Sequence, residues 1–113
     1  AGIPSFIAAA SALNISLVEG NEMLVVSPGK VSRELLQSVA DGGSTLVIMK
    51  LSQCEAELKA LMPHFAPYLQ FYYCEFVERP KALYLHDLEA IQAHPFTYFS
   101  LLICKLHPSH TNR

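Results

Sequence analysis

Hydrophobic and polar positions along this chain follow two rhythms, short apolar runs and longer one-sided stripes. The run 44–50 (STLVIMK) is apolar and β-branched, with Gly42-Gly43 before it and a polar segment after it. A run of that length between turn residues predicts a central strand buried on both faces, in a sheet with helices on either side. Residues 22–26 (EMLVV), closed by Ser27-Pro28-Gly29, predict a second strand, and 68–77, 83–85 and 98–106 predict three more. Residues 5–13 are Ala-rich and apolar nearly all round, which predicts a buried helix, begun at Pro4 and ended by Asn14 in a left-handed turn. Residues 30–41 put Val31, Leu35, Leu36 and Val39 on one stripe, with Ser32 as N-cap and Gly42-Gly43 as the stop. Residues 52–65 open with Ser52 and Glu55 in the capping-box pattern, and Pro63 predicts an end near Leu61 or Met62. A short helix at 87–92 is capped by Asp87. The alternation predicts an α/β fold, a mixed sheet of about five strands flanked by helices, over residues 1–106. The polar tail 107–113 is expected to be loose.

Composition fits one domain with a packed core: 51% of the 113 residues are hydrophobic and 16% charged, which excludes a disordered chain. The net charge of -2 gives no footprint for nucleic acid or an anionic membrane. No apolar run approaches the ~20 residues that span a bilayer. The start, AGIPSFIAAASAL, has no basic segment of a secretory signal and no initiator Met. It reads as part of a longer protein. Cys54, Cys74 and Cys104 form no CxxC pair, which argues against zinc or a disulfide framework and fits a reducing, cytoplasmic setting. Of His64, His86, His94, His107 and His110, only the last two stand at metal-like spacing, in the polar tail, so no metal site is expected.

The ordered segments GIPSFIAAASALNISLVEGNEMLVVSPG (2–29), TLVIMK (45–50), FVER (76–79) and YFSLLICK (98–105) resemble the C-terminal half of the tetrapyrrole (corrin/porphyrin) methylases. Within that family the likeness is greatest to the enzymes that methylate C20 of precorrin-2 or cobalt-factor II in cobalamin biosynthesis. The resemblance implies two α/β domains with S-adenosylmethionine in the cleft between them, leaving S-adenosylhomocysteine as product. It further implies a tetrapyrrole substrate over an adjoining trough, and a homodimer. The family's N-terminal half carries Gly-Pro-Gly-Asp and Gly-Asp-Pro motifs, and neither occurs here. The chain would thus be the C-terminal domain, with the N-terminal domain of the same protein as its partner. After Arg79 the chain also departs from the family, because Pro80-Lys81-Ala82 replace a longer loop.

Ligands of open α/β sheets lie beyond the carboxyl ends of strands, where Met49 and Lys50 stand. The resemblance puts Met49 against the cofactor's adenosine, and a thioether packs well on a π face. A core Met at a strand end is the plainer alternative. Ile3, Pro4 and Ser5 form the turn into the first helix, where backbone N–H groups attract carboxylates; an ordinary helix start explains them equally. Glu78 and Arg79 close a strand on the implied cleft side, for the ribose or a substrate propionate, against an exposed ion pair. Tyr98, Phe99 and Ser100 open the last strand, where the family closes over the cofactor, against a buried aromatic edge for Phe99. No catalytic residue is named. Methyl transfer from a sulfonium is an in-line displacement that needs positioning more than a protein nucleophile. The competing expectation is a non-catalytic split or degenerate half that binds a partner.

Overall fold

The computed structural model describes residues 5–107. Two local devices set its first turns. Helix α1 (Ser5–Leu13) ends where Asn14 adopts φ 57°, and helix α2 (Arg33–Ala40) ends where Gly42 adopts φ 84°. Each left-handed residue closes the same pair of bonds. Ile15 N–H donates to Ala10 O and Asn14 N–H to Ser11 O. Likewise Gly43 N–H donates to Ser38 O and Gly42 N–H to Val39 O. Orphan carbonyls of the last turn are thereby satisfied. At the start of α2 the Ser32 hydroxyl accepts from Leu35 N–H at 3.2 Å, as the sequence predicts.

The remaining elements are β1 (Met23–Pro28), β2 (Ser44–Met49), α3 (Glu55–Phe65), β3 (Leu69–Glu75), β4 (Leu83–Leu85), α4 (Leu88–Ala93) and β5 (Ser100–Leu106). A 3-10 turn, Leu51–Gln53, links β2 to α3. The five strands form one mixed sheet in the order β1-β2-β5-β3-β4. Only β1 and β2 run parallel, joined by α2 as a βαβ unit; the other neighbours are antiparallel. The predicted α/β sheet flanked by helices is therefore present, although β5 rather than 44–50 is its middle strand. β2 is nonetheless buried along residues 44–48.

Alternation along the strands divides the core in two. Leu46, Ile48, Leu102, Cys104, Phe71 and Tyr73 face α2, α3 and α4, while Val47, Ile103, Leu101 and Cys74 face α1. On the α1 side Lys105 Nζ donates to Leu17 O and Thr45 Oγ1, tying the connector after α1 to the sheet.

Several expectations are corrected. Helix α1 is not buried all round. Ala8, Ala9 and Ala10 are buried, but Ile7 is 45% exposed, because a lone helix lying on a sheet covers it with one face. The capping box at Ser52 and Glu55 does not form. The 3-10 turn takes Ser52, and Cys54 precedes α3 without a side-chain cap. Helix α3 also runs past Pro63 to Phe65. Proline cannot bond the carbonyl four residues back, and here that carbonyl, Lys59 O, accepts from Gln92 Nε2 at 2.9 Å instead. β1 continues through Pro28, which an edge strand tolerates. The helix start at Pro4 and the tail beyond His107 lie outside the described residues.

Candidate functional site

Register brings three strand ends together. Met49 at the carboxyl end of β2 pairs with Leu101 near the start of β5, and Leu101 pairs with Cys74 near the end of β3. Beyond this row the chain turns three ways. Lys50 takes a left-handed φ of 55°, releasing the chain from β2 into the 3-10 turn. Phe76 takes φ 51° and Glu78 φ 66° in the turn after β3. Positive φ is costly for non-glycine residues, above all a bulky one, and such strain concentrates at functional sites. The turn is held by Phe76 N–H to Phe99 O at 2.9 Å and by Arg79 N–H to Phe76 O at 3.0 Å.

A pocket of about 240 Å³ opens here, lined by Ser5, Met49, Lys50, Phe76, Val77, Arg79, Tyr98, Phe99, Ser100 and Leu101. Its apolar lining comes from Met49, Val77 and Leu101 with the rings of Phe76 and Phe99. Its polar residues are Ser5, Lys50, Arg79, Tyr98 and Ser100. The Phe76 and Phe99 rings lie 5.7 Å apart, and the Arg79 guanidinium sits 5.0 Å from the centre of the Phe99 ring. Complete small-molecule sites run to roughly 300–1,000 Å³, so this pocket of about 240 Å³ falls short of one.

The wall formed by residues 98–100 is anchored from behind. Ser100 Oγ donates to Thr97 O at 2.6 Å, Thr97 N–H to Tyr73 Oη at 3.3 Å, and Tyr73 Oη to Glu75 Oε1 at 2.6 Å. His94 Nε2 lies 2.8 Å from the same Glu75 oxygen. Burial, with the Glu75 carboxylate second, pushes the Tyr73 phenol up to about 12. Burial also pushes the Cys74 thiol up to about 12 and raises Cys54 and Cys104. All three cysteines are buried and free, so these thiols are packing groups without nucleophilic character. Among the described residues no cluster of three or more His, Cys, Asp or Glu could hold a metal.

Of the residues singled out from sequence, Ser5, Met49, Lys50, Arg79, Tyr98, Phe99 and Ser100 meet on this pocket. Glu78 does not. It is exposed, and of the pair Glu78 and Arg79 the turn brings only Arg79 to the pocket. Phe99 is no buried edge either, at 52% exposed. Ile3 and Pro4 lie outside the described residues. Sequence reasoning missed Phe76, Val77 and Leu101. Pairing the 76–79 segment with the start of the last strand would have found them, since antiparallel neighbours bring those ends together.

Residues 1–77 match the family model of the Tetrapyrrole (Corrin/Porphyrin) Methylases. The chain belongs to that family. This tetrapyrrole methylase chain is also similar in fold to the crystal structure of the methyltransferase CobJ, with a TM-score of 0.66 and 16% identity. The likeness covers 93% of this chain and 48% of that one, so the methylase chain described here spans about half the length of that structure. No curated protein matches it in sequence. No helix among the described residues is long and apolar enough to cross a membrane.

Proposed function

We propose that this chain is the C-terminal domain of an S-adenosylmethionine-dependent methyltransferase acting on a tetrapyrrole. The finer reading is C20 methylation of precorrin-2 or cobalt-factor II in cobalamin biosynthesis, in the cytoplasm. The observation that carries the proposal is the pocket where Met49, Val77 and Leu101 meet in a chain of this family. Met49 and Val77 pack against the adenosine, Phe99 and Ser100 close over it, and Ser5 and Lys50 line its rim. When bound, the cofactor supplies a methyl group activated by a sulfonium. The residues of this chain bind and orient, and none is asked to act as nucleophile. The pocket's volume supports a half-site, completed by an N-terminal domain of the same protein, within a homodimer.

Amide-detected NMR titration of the 113-residue chain with S-adenosylhomocysteine tests this. Shifts are expected at Met49, Val77 and Phe99 to Leu101, with weak affinity. Shifts confined to other surfaces would overturn it. A second reading, a degenerate half that binds a partner without catalysis, draws on one observation: the family match ends at residue 77, where the turn to Ala82 begins. Silence of those amides toward S-adenosylhomocysteine, with the fold intact, favours that reading.

A further inference from the structure

The pocket carries positive charge that no carboxylate among the described residues neutralises. Lys50 and Arg79 line it, and no acidic side chain does. Lys81 stands nearby, 4.6 Å from the centre of the Phe76 ring. Among the described residues the ion pairs are Lys59 with Glu55, His94 with Glu75 and Lys105 with Glu22, so none involves these three cations. Even Glu78, next to Arg79 in sequence, makes no pair with it within 4.0 Å. Arg79 is instead held by rings, 5.0 Å from the centre of Phe99 and 6.0 Å from that of Phe76. A guanidinium held over an aromatic face keeps its fork of N–H donors for a carboxylate, which it grips with two parallel bonds. The backbone pays for this placement in strain at Phe76 and Glu78, the residues that turn Arg79 toward the pocket.

The geometry points to Arg79, assisted by Lys50, as a carboxylate-recognition subsite at the mouth of the pocket. The inference rests on the reading of the pocket as a methyltransferase site and adds to it the group that chooses among ligands. A sulfonium gains nothing from two cations, whereas a carboxylate gains from both. That carboxylate belongs either to the amino-acid end of the cofactor or to a side chain of the tetrapyrrole.

Three probes separate these sources on the full 113-residue chain, read by amide shifts at Met49, Val77 and Leu101. The first, 5′-methylthioadenosine, is a nucleoside thioether without a carboxylate. S-adenosylhomocysteine adds an amino-acid carboxylate, and uroporphyrin is a carboxylated tetrapyrrole. At least one carboxylated probe is expected to lose about tenfold in affinity in Arg79→Gln, the scale of a charge-assisted hydrogen bond, while 5′-methylthioadenosine is unchanged. The probe that loses affinity identifies the source. Arg79→Lys recovers part of the loss. Salt raised from about 0.05 M to about 0.5 M weakens the same probe and spares 5′-methylthioadenosine, which loss of packing alone would not produce. If Arg79→Gln does not fold, as the same spectra reveal, Lys50→Gln and the salt series carry the decision. Binding of 5′-methylthioadenosine with no response of either carboxylated probe to Arg79→Gln, Lys50→Gln or salt overturns the subsite and leaves the nucleoside pocket standing. Silence of those amides toward all three probes overturns the pocket reading and the subsite with it.

Discussion

Met49 is half-buried, packed against the Val47, Leu101 and Ile103 cluster while also lining the pocket. Its place at a strand end was legible in the sequence, because an apolar run closed by Lys50 can end nowhere else. Its neighbours Phe76 and Val77 were not, since only strand register brings them near. Met49→Leu nearly keeps volume and is expected to change stability by less than about 1.5 kcal/mol. Under the proposed function it weakens S-adenosylhomocysteine binding by more than that change explains; equal binding would reduce Met49 to a core residue. Melting temperature and affinity on one sample decide the matter. Cys74 and Tyr73 give a second prediction at this scale. Burial holds both neutral forms in the fold, moving the Cys74 thiol from 9.0 and the Tyr73 phenol from 10.0 to about 12. The folded chain then keeps protons that the unfolded chain releases, so their contribution to stability is complete below pH 9 and is lost as pH rises to about 12. The melting temperature should fall through that alkaline window, and less steeply in Cys74→Ala. A flat profile from pH 9 to 12 would contradict the burial argument.

Among the elements, α3 shows where local reading ends. Pro63 predicts an early stop because the residue before a proline is biased away from helix, yet α3 runs on to Phe65. The Lys59 carbonyl that Pro63 cannot bond is taken by Gln92 Nε2, 33 residues away. Nothing in the local sequence announces this rescue. Glu55 is similar. The capping-box reading gave it Ser52, whereas in the fold it accepts Phe96 N–H at 3.2 Å and pairs with Lys59 at 2.7 Å. Long-range contacts outcompeted a nearest-neighbour signal in both cases. The ends of α1 and α2 were legible because their caps are local: Asn14, Ser32 and Gly42 each act within one turn. The Gln92 contact is testable by a double-mutant cycle. Gln92→Leu alone leaves the Lys59 carbonyl without its partner and is expected to cost about 1–2 kcal/mol. Pro63→Ala restores a backbone donor to that carbonyl, so Gln92→Leu should cost measurably less in the Pro63→Ala background. Equal costs in the two backgrounds, by urea denaturation, would show that the two groups do not share the carbonyl.

For the whole molecule, alternating strand and helix signals gave the α/β class, but strand order was hidden. It depends on β5, the last strand in sequence and buried along nearly all its length, lying between β2 and β3. That insertion builds the pocket, since it sets Leu101 between Met49 and Cys74. The same arrangement leaves apolar groups uncovered on the α1 side: Ile7 on the helix, and Leu24 and Val26 on edge strand β1, at 45%, 39% and 43% exposed. Under the proposed function the 113 residues fold alone but hold only part of the cofactor site. A pocket of about 240 Å³ cannot bury most of a cofactor-sized ligand, and affinity depends on that burial. The isolated chain should therefore bind S-adenosylhomocysteine no tighter than high micromolar. Supplying the N-terminal half of a tetrapyrrole methylase in trans, chosen to carry the Gly-Pro-Gly-Asp motif, should tighten binding at least about tenfold, a gain of about 1.4 kcal/mol. Isothermal titration of the chain with and without that half is decisive. Low-micromolar binding by the 113 residues alone would mean that the pocket is already a whole site, and the half-site reading would fall.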